Sequence, residues 1–214
     1  MLKYILSMLI CLVPVMGFAE DFEAGKDYII LKNYPKNEPA HHAVSVTEFF
    51  SYGCPWCYRL EPVLNQWVAQ QGAAISYNKV PVIFNKDWEY YAKAYYTAVA
   101  LGMEPQLTPV LFKAILKDKQ SLNSNKAMID FFIQHGVDTA TATSAFNHSA
   151  SIDIALNEGN RKMAQYQISA VPALVVNNQY KTDLQMAKSQ DRLLEILNFL
   201  VSQANKPGAL KTAS

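Results

Sequence analysis

Two of the three cysteines in this 214-residue chain, Cys54 and Cys57, stand with two residues between them in the stretch EFFSYGCPWCYRLEPV, downstream of a lone carboxylate, Glu48. A C-x-x-C pair can clamp zinc, anchor a haem, staple a loop or cycle between dithiol and disulfide, so its surroundings decide. Haem attachment needs His directly after the second cysteine, and this chain has Tyr58 there. A structural zinc site needs four ligands, but no second C-x-x-C exists, and His41, His42, His135 and His148 do not stand at ligand spacing. A bond across so short a gap closes almost no loop and constrains the unfolded chain little. The working redox pair is the favoured reading, with no metal and no cofactor expected, and a vestigial or metal-bound pair is the alternative.

Cys54 falls where a strand should end and a helix begin. Free backbone amides and the positive end of the helix dipole favour a negative sulfur there. Pro55 has no amide to offer, so the donors available to a Cys54 thiolate are those of Trp56 and Cys57. Cys57, a turn further in, is expected to be shielded and less ionised, leaving Cys54 as the sulfur that attacks or is attacked. Glu48 has two readings. On an exposed strand position it does nothing in particular. Buried in a strand that is apolar on both faces, it would have a raised pKa and could carry protons to or from Cys57.

The elements that must position these groups follow from periodicity. AVSVTEFFS, from Ala43, alternates and is rich in β-branched and aromatic residues, which predicts a strand. Leu60, Val63, Leu64, Trp67 and Val68 then fall at helical spacing up to Gly72, with Pro62 inside the pattern as a kink. AISYNKVPVIF, from Ala74, predicts a second strand, parallel to the first because a helix connects them. From about Lys86 to Gln165 the pattern is helical: DWEYYAKAYYTAVAL stopped by Gly102, PVLFKAILKD, NKAMIDFFIQH stopped by Gly136, TATSAFNH and IDIALNEGNRKMAQYQ. ALVVNN and QYKTD predict two further strands, and a last helix runs from about Ser189 to Ala204.

This order predicts an α/β fold in which a β-α-β half and a β-β-α half share one sheet, with an all-helical domain inserted between them. The expected boundaries are 20–85 and 156–205 for the two parts of the main domain, 86–155 for the insert, and 206–214 for a flexible tail. Residues 1–19 read as a cleavable signal peptide: Lys3, an apolar run to about Met16, and small residues at Gly17 and Ala19. An uncleaved anchor is the alternative, but Pro14 and Gly17 interrupt the run. Cys11 leaves with that segment, so the mature chain keeps only Cys54 and Cys57, in a compartment where disulfides persist. Of 19 Lys and Arg against 18 Asp and Glu, removing Lys3 leaves 18 of each, and nothing points to a nucleic-acid or anionic-membrane partner.

With these residues in view, the chain resembles the DsbA family of periplasmic thiol:disulfide oxidoreductases, which have a thioredoxin-like fold interrupted by a helical insertion. FEAGKDYIIL, EFFSYGCPWCY and AVPALVVNNQY carry the resemblance, the middle stretch most specifically. It implies that Cys54 is the exposed nucleophile, Cys57 its buried resolving partner, Glu48 the buried acid and Pro172 a cis-proline facing the disulfide. Base rates alone would make the Val171–Pro172 bond trans. The resemblance further implies that Val171 pairs with an extended substrate strand, reduced unfolded secreted proteins being the clients. A quinone-linked inner-membrane thiol oxidase of the DsbB type would be the electron acceptor.

The best-known members carry His where this chain has Trp56. A neutral indole supplies no imidazolium beside the thiolate, which predicts a milder oxidant, although Trp56 could instead only shape the docking surface. A reductase or isomerase of the same fold, and a non-catalytic secreted holdase or binding module, are the competing functions.

Overall fold

The computed structural model describes residues 22–32 and 43–205. The expected signal peptide and tail, with His41 and His42, lie outside the described residues. Five strands, β1 (Ile29–Ile30), β2 (Val44–Phe50), β3 (Ile75–Pro81), β4 (Ala173–Val176) and β5 (Tyr180–Asp183), form one sheet in the order β1-β5-β4-β2-β3. As the connecting helix requires, β2 and β3 are parallel, with Glu48 opposite Lys79. β4 runs antiparallel to β2, and β5 returns beside it through Asn177 and Asn178, both in the left-handed region. β1 was not foreseen, since two residues are too few to show an alternation.

The helices are α1 (Pro55–Gln71), α2 (Lys86–Ala100), α3 (Glu104–Leu116), α4 (Asn125–Gln134), α5 (Thr139–His148), α6 (Ala150–Gln165), α7 (Leu184–Ala187) and α8 (Gln190–Ala204). Six of them start alike. Asn85, Ser124, Asp138, Ser149, Asp183 and Ser189 each accept a hydrogen bond from the amide three residues on, satisfying a donor the helix leaves unpaired. Gly102 and Gly136 follow α2 and α4 at positive φ, as their stop signals predicted.

α3 departs from expectation by starting at Glu104 rather than Pro109. Pro105 suits a first turn because no amide is needed there, and Pro109 forfeits only the bond to the Pro105 carbonyl. The extra turn carries Glu104 and Thr108. α7 is a short helix the sequence reading did not separate, and α5 and α6 each begin two residues sooner than their apolar patterns suggested.

Three buried clusters meet around β2. Val44 and Val46 pack with Leu60, Leu64 and Trp67 of α1 and with Leu193, Ile196, Leu197 and Leu200 of α8. Phe49, on the opposite face, packs with Val80, Tyr166 and Val175. Phe50 joins Tyr52, both cysteines and the apolar side of α2, α3, α4 and α5. Glu48 therefore sits in a strand position between two apolar cores, at the seam where the helical block meets the sheet. Among the described residues, no helix is long and apolar enough to cross a membrane.

Candidate active site

Cys54 is the residue that caps α1. Its backbone is extended, at φ −96° and ψ 112°, and its sulfur accepts the Cys57 amide at 3.3 Å in place of the usual hydroxyl or carboxylate. The loop before it is tight: the Cys54 amide donates to the Ser51 carbonyl at 3.0 Å and the Gly53 amide to Ser51 Oγ at 3.1 Å. A Cβ on Gly53 would lie 2.3 Å from the Trp88 indole nitrogen, so the loop accepts no larger residue without moving that ring.

Both cysteines are free thiols, and their environments differ. A hydrogen bond from the Cys57 thiol, with the amides of Cys57 and Trp56, brings Cys54 down to about 7 against the opposing effect of burial. Burial, together with the hydrogen bond and charge of Cys54, pushes Cys57 well above the usual thiol range. Exposure follows the same order but over a narrow range, 5% for Cys54 and 0% for Cys57. Cys54 is thus less open than the exposed nucleophile the resemblance implied, and the Val171 carbonyl, 3.5 Å from its sulfur, accepts its thiol proton.

The Val171–Pro172 peptide is cis, as the resemblance implied and against the base-rate reading. Trp56 is 57% exposed, and the Arg59 guanidinium lies over its ring at 4.7 Å from the centroid. The neutral residue of the motif therefore carries a cation on its face, which the sequence reading missed even though Arg59 is three positions on and so on the same side of a helix. Trp56, Val171 and Pro172 line one cavity of about 320 Å³ with Leu184, Lys188 and Ser189.

Glu48 is fully buried. Its Oε2 accepts from the Tyr77 hydroxyl, while Oε1 has no hydrogen-bonding partner among the described residues. Lys79 Nζ stands 3.9 Å from Glu48 Oε2, 2.7 Å from both oxygens of Glu61 and 3.9 Å from Glu104 Oε1. Burial lifts the Glu48 carboxyl to about 7; Lys79 and the Tyr77 hydrogen bond oppose this, and Glu61 and Glu104 add to it. For Lys79, burial favours the neutral amine, but Glu48 and Glu61 outweigh it and the net shift is upward.

Glu48 is lone only in sequence. Lys79 was legible in principle, because parallel pairing from the predicted strand starts sets it opposite Glu48. Glu61, one helical turn after Cys57, and Glu104, in the helical block after β3, gave no such signal. A cavity of about 760 Å³, lined by Glu61, Tyr77, Lys79, Tyr96 and Glu104 among others, opens this cluster toward solvent.

A C-x-x-C at the amino end of a helix, beside a cis-proline at the end of a mixed sheet, with helices inserted between β3 and β4, defines a thioredoxin-fold dithiol/disulfide centre. Comparison with known proteins makes the assignment narrower. The sequence model of the DSBA-like thioredoxin domain matches residues 45–198, and the chain belongs to that family. It is 36% identical over 208 residues to the thiol:disulfide interchange protein DsbA of Burkholderia cepacia, covering 95% of this chain and 97% of that one. The crystal structure of Pseudomonas aeruginosa DsbA superposes with a TM-score of 0.80 at 29% identity, over 87% of this chain and 96% of the other. A cysteine-to-serine variant of Proteus mirabilis DsbA, solved with the non-covalently bound peptide PWATCDS, gives a TM-score of 0.71 at 27% identity, over 86% and 98% of the two chains.

Proposed function

We propose that this protein is a dithiol oxidase that passes a Cys54–Cys57 disulfide to reduced, unfolded secreted proteins in the periplasm. The observation that carries the reading is the inequality of the two sulfurs: Cys54 is drawn down to about 7 while Cys57 is held well above the usual thiol range. A client thiolate attacks Cys54, the Cys54–Cys57 bond breaks, and Cys57 leaves with the electron pair. Burial makes that thiolate costly, so it takes a proton, and Glu48, neutral up to about pH 7, is the donor. A second client thiolate then attacks the client sulfur of the mixed disulfide and Cys54 departs as a thiolate, stabilised by the Cys57 thiol and the α1 amides. Two client thiols become one disulfide, and the protein keeps two electrons.

Val171, beside the Cys54 sulfur, and the cavity lined by Trp56, Val171 and Pro172 support docking of an extended client segment at this point. The DsbA variant of Proteus mirabilis solved with a cysteine-containing peptide supports the same substrate class. Return to the disulfide form needs an electron acceptor, for which a quinone-linked inner-membrane oxidase of the DsbB type is the partner. The leader-like residues 1–19 and the names of the relatives support export.

The test is a trap. With Cys57→Ala, a reduced client should remain covalently attached to Cys54, and diagonal electrophoresis with mass spectrometry identifies the bond. Clients held through Cys57 in a Cys54→Ala protein, with none held at Cys54, would overturn the assignment. Equilibration with glutathione separates oxidase from reductase, since an oxidase must be the more oxidising of the two couples.

A further inference from the structure

The helical insert also reaches the buried charge cluster, through a carboxylate oxygen. Glu104 Oε1, in the first turn of α3, accepts from the Thr108 hydroxyl at 2.8 Å and lies 3.9 Å from Lys79 Nζ. An ionised carboxylate only accepts, so Thr108 commits its proton there and its oxygen must accept from Tyr52, whose phenol lies 2.8 Å away. The donors therefore run in one direction, from Tyr52 to Thr108 to Glu104. Tyr52 and Thr108 are 1% and 2% exposed, so solvent offers little competition. Tyr52 stands two residues before Cys54, and burial raises its phenol well above the ordinary value, which keeps it a donor.

We propose that Glu104 is a positioning residue of the redox centre: held by the Tyr52–Thr108 donor chain, its carboxylate shares Lys79 with the sheet and sets the ionisation of Glu48 from the insert. The proposal rests on the reading of Glu48 as proton donor to Cys57. The groups that face Glu48 are Tyr77 and Lys79 from β3, Cys54 at the cap of α1, Cys57 and Glu61 from α1, Tyr95 from α2 and Glu104 from α3. Among these, Glu104 is the carboxylate supplied by the insert. Neutralising it leaves Lys79 to Glu48 and Glu61 and removes a nearby negative charge, so Glu48 ionises more readily. Thr108→Val keeps the charge but releases the partly exposed Glu104 arm from its hydrogen bond, a weaker change of the same sign.

The experiment follows the pH dependence of the dithiol/disulfide equilibrium with glutathione for the full chain and for Glu48→Gln, Glu104→Gln and Thr108→Val. The inflexion that Glu48→Gln abolishes is that of Glu48. Glu104→Gln is expected to move it down by roughly half a pH unit. Thr108→Val is expected to move it in the same direction by less. Loss of thermal stability in both variants with the inflexion at its wild-type pH would overturn the proposal and leave Glu104 a purely structural residue. A wild-type profile with no inflexion attributable to Glu48 would overturn it differently, by removing the proton-donor reading on which it stands.

Discussion

Cys54 and Cys57 are the same functional group three positions apart, and their places on α1 make them different reagents. One sulfur takes the place of a capping side chain and receives an amide; the other is enclosed one turn in and has no exposed surface. Trp56, between them, contributes an amide but no charge, and the Arg59 cation rests on its ring. Replacing Trp56 by His puts a titratable cation directly beside the cap. Trp56→His is expected to lower the Cys54 pKa by about one unit, and to make the disulfide more oxidising by about 30 mV. Ultraviolet titration of the thiolate checks the first effect and glutathione equilibration the second. An unchanged Cys54 pKa would mean that Trp56 serves only the docking surface.

At the scale of elements, the turn from β2 into α1 is held by what packs upon it. The Trp88 indole, from the first turn of α2, fills the space where a side chain at Gly53 would sit, and stacks on Phe84 at 5.5 Å between centroids. The insert thus touches the active-site loop by apolar contact here and by hydrogen bonding at Tyr52. Gly53→Ala must displace Trp88, because the Cβ would lie 2.3 Å from its ring nitrogen. A loss of about 1–3 kcal/mol in urea unfolding is expected, with a change in the Trp fluorescence of the folded state. Stability within error of wild type would show that α2 can move away from the loop at little cost.

For the whole molecule, the buried acid makes stability depend on pH. Below about 4.5 the Glu48 carboxyl is protonated in the folded and unfolded chains alike; above about 7 it is ionised in both, and folding must then bury the charge. Between these values the folded chain holds a proton that the unfolded chain has released, so stability falls as pH rises through the window. Glu48→Gln removes that fall. The variant is expected to exceed wild type by roughly 1–3 kcal/mol at about pH 8 and to match it near pH 4, by chemical denaturation of the reduced protein. An equal difference at both pH values would assign the effect to packing rather than to ionisation.

The sequence alone determined the strands β2 to β5, most helix positions and the place of the cysteine pair at the start of α1, because these depend on local matters: apolar periodicity, capping residues and a cysteine placed where a helix begins. It also excluded haem, since that chemistry requires a neighbour the chain lacks. The tertiary structure decided what kind of acid Glu48 is. Lys79, Glu61 and Glu104 come from a strand, a helix and an insert widely separated along the chain, and only the packing of two apolar cores against each other brings them to one buried seam. Arg59 upon Trp56 and Val171 against Cys54 are likewise products of folding. Periodicity specifies which face a residue occupies, whereas charge acts through distance and burial, and those exist only once the chain has closed on itself.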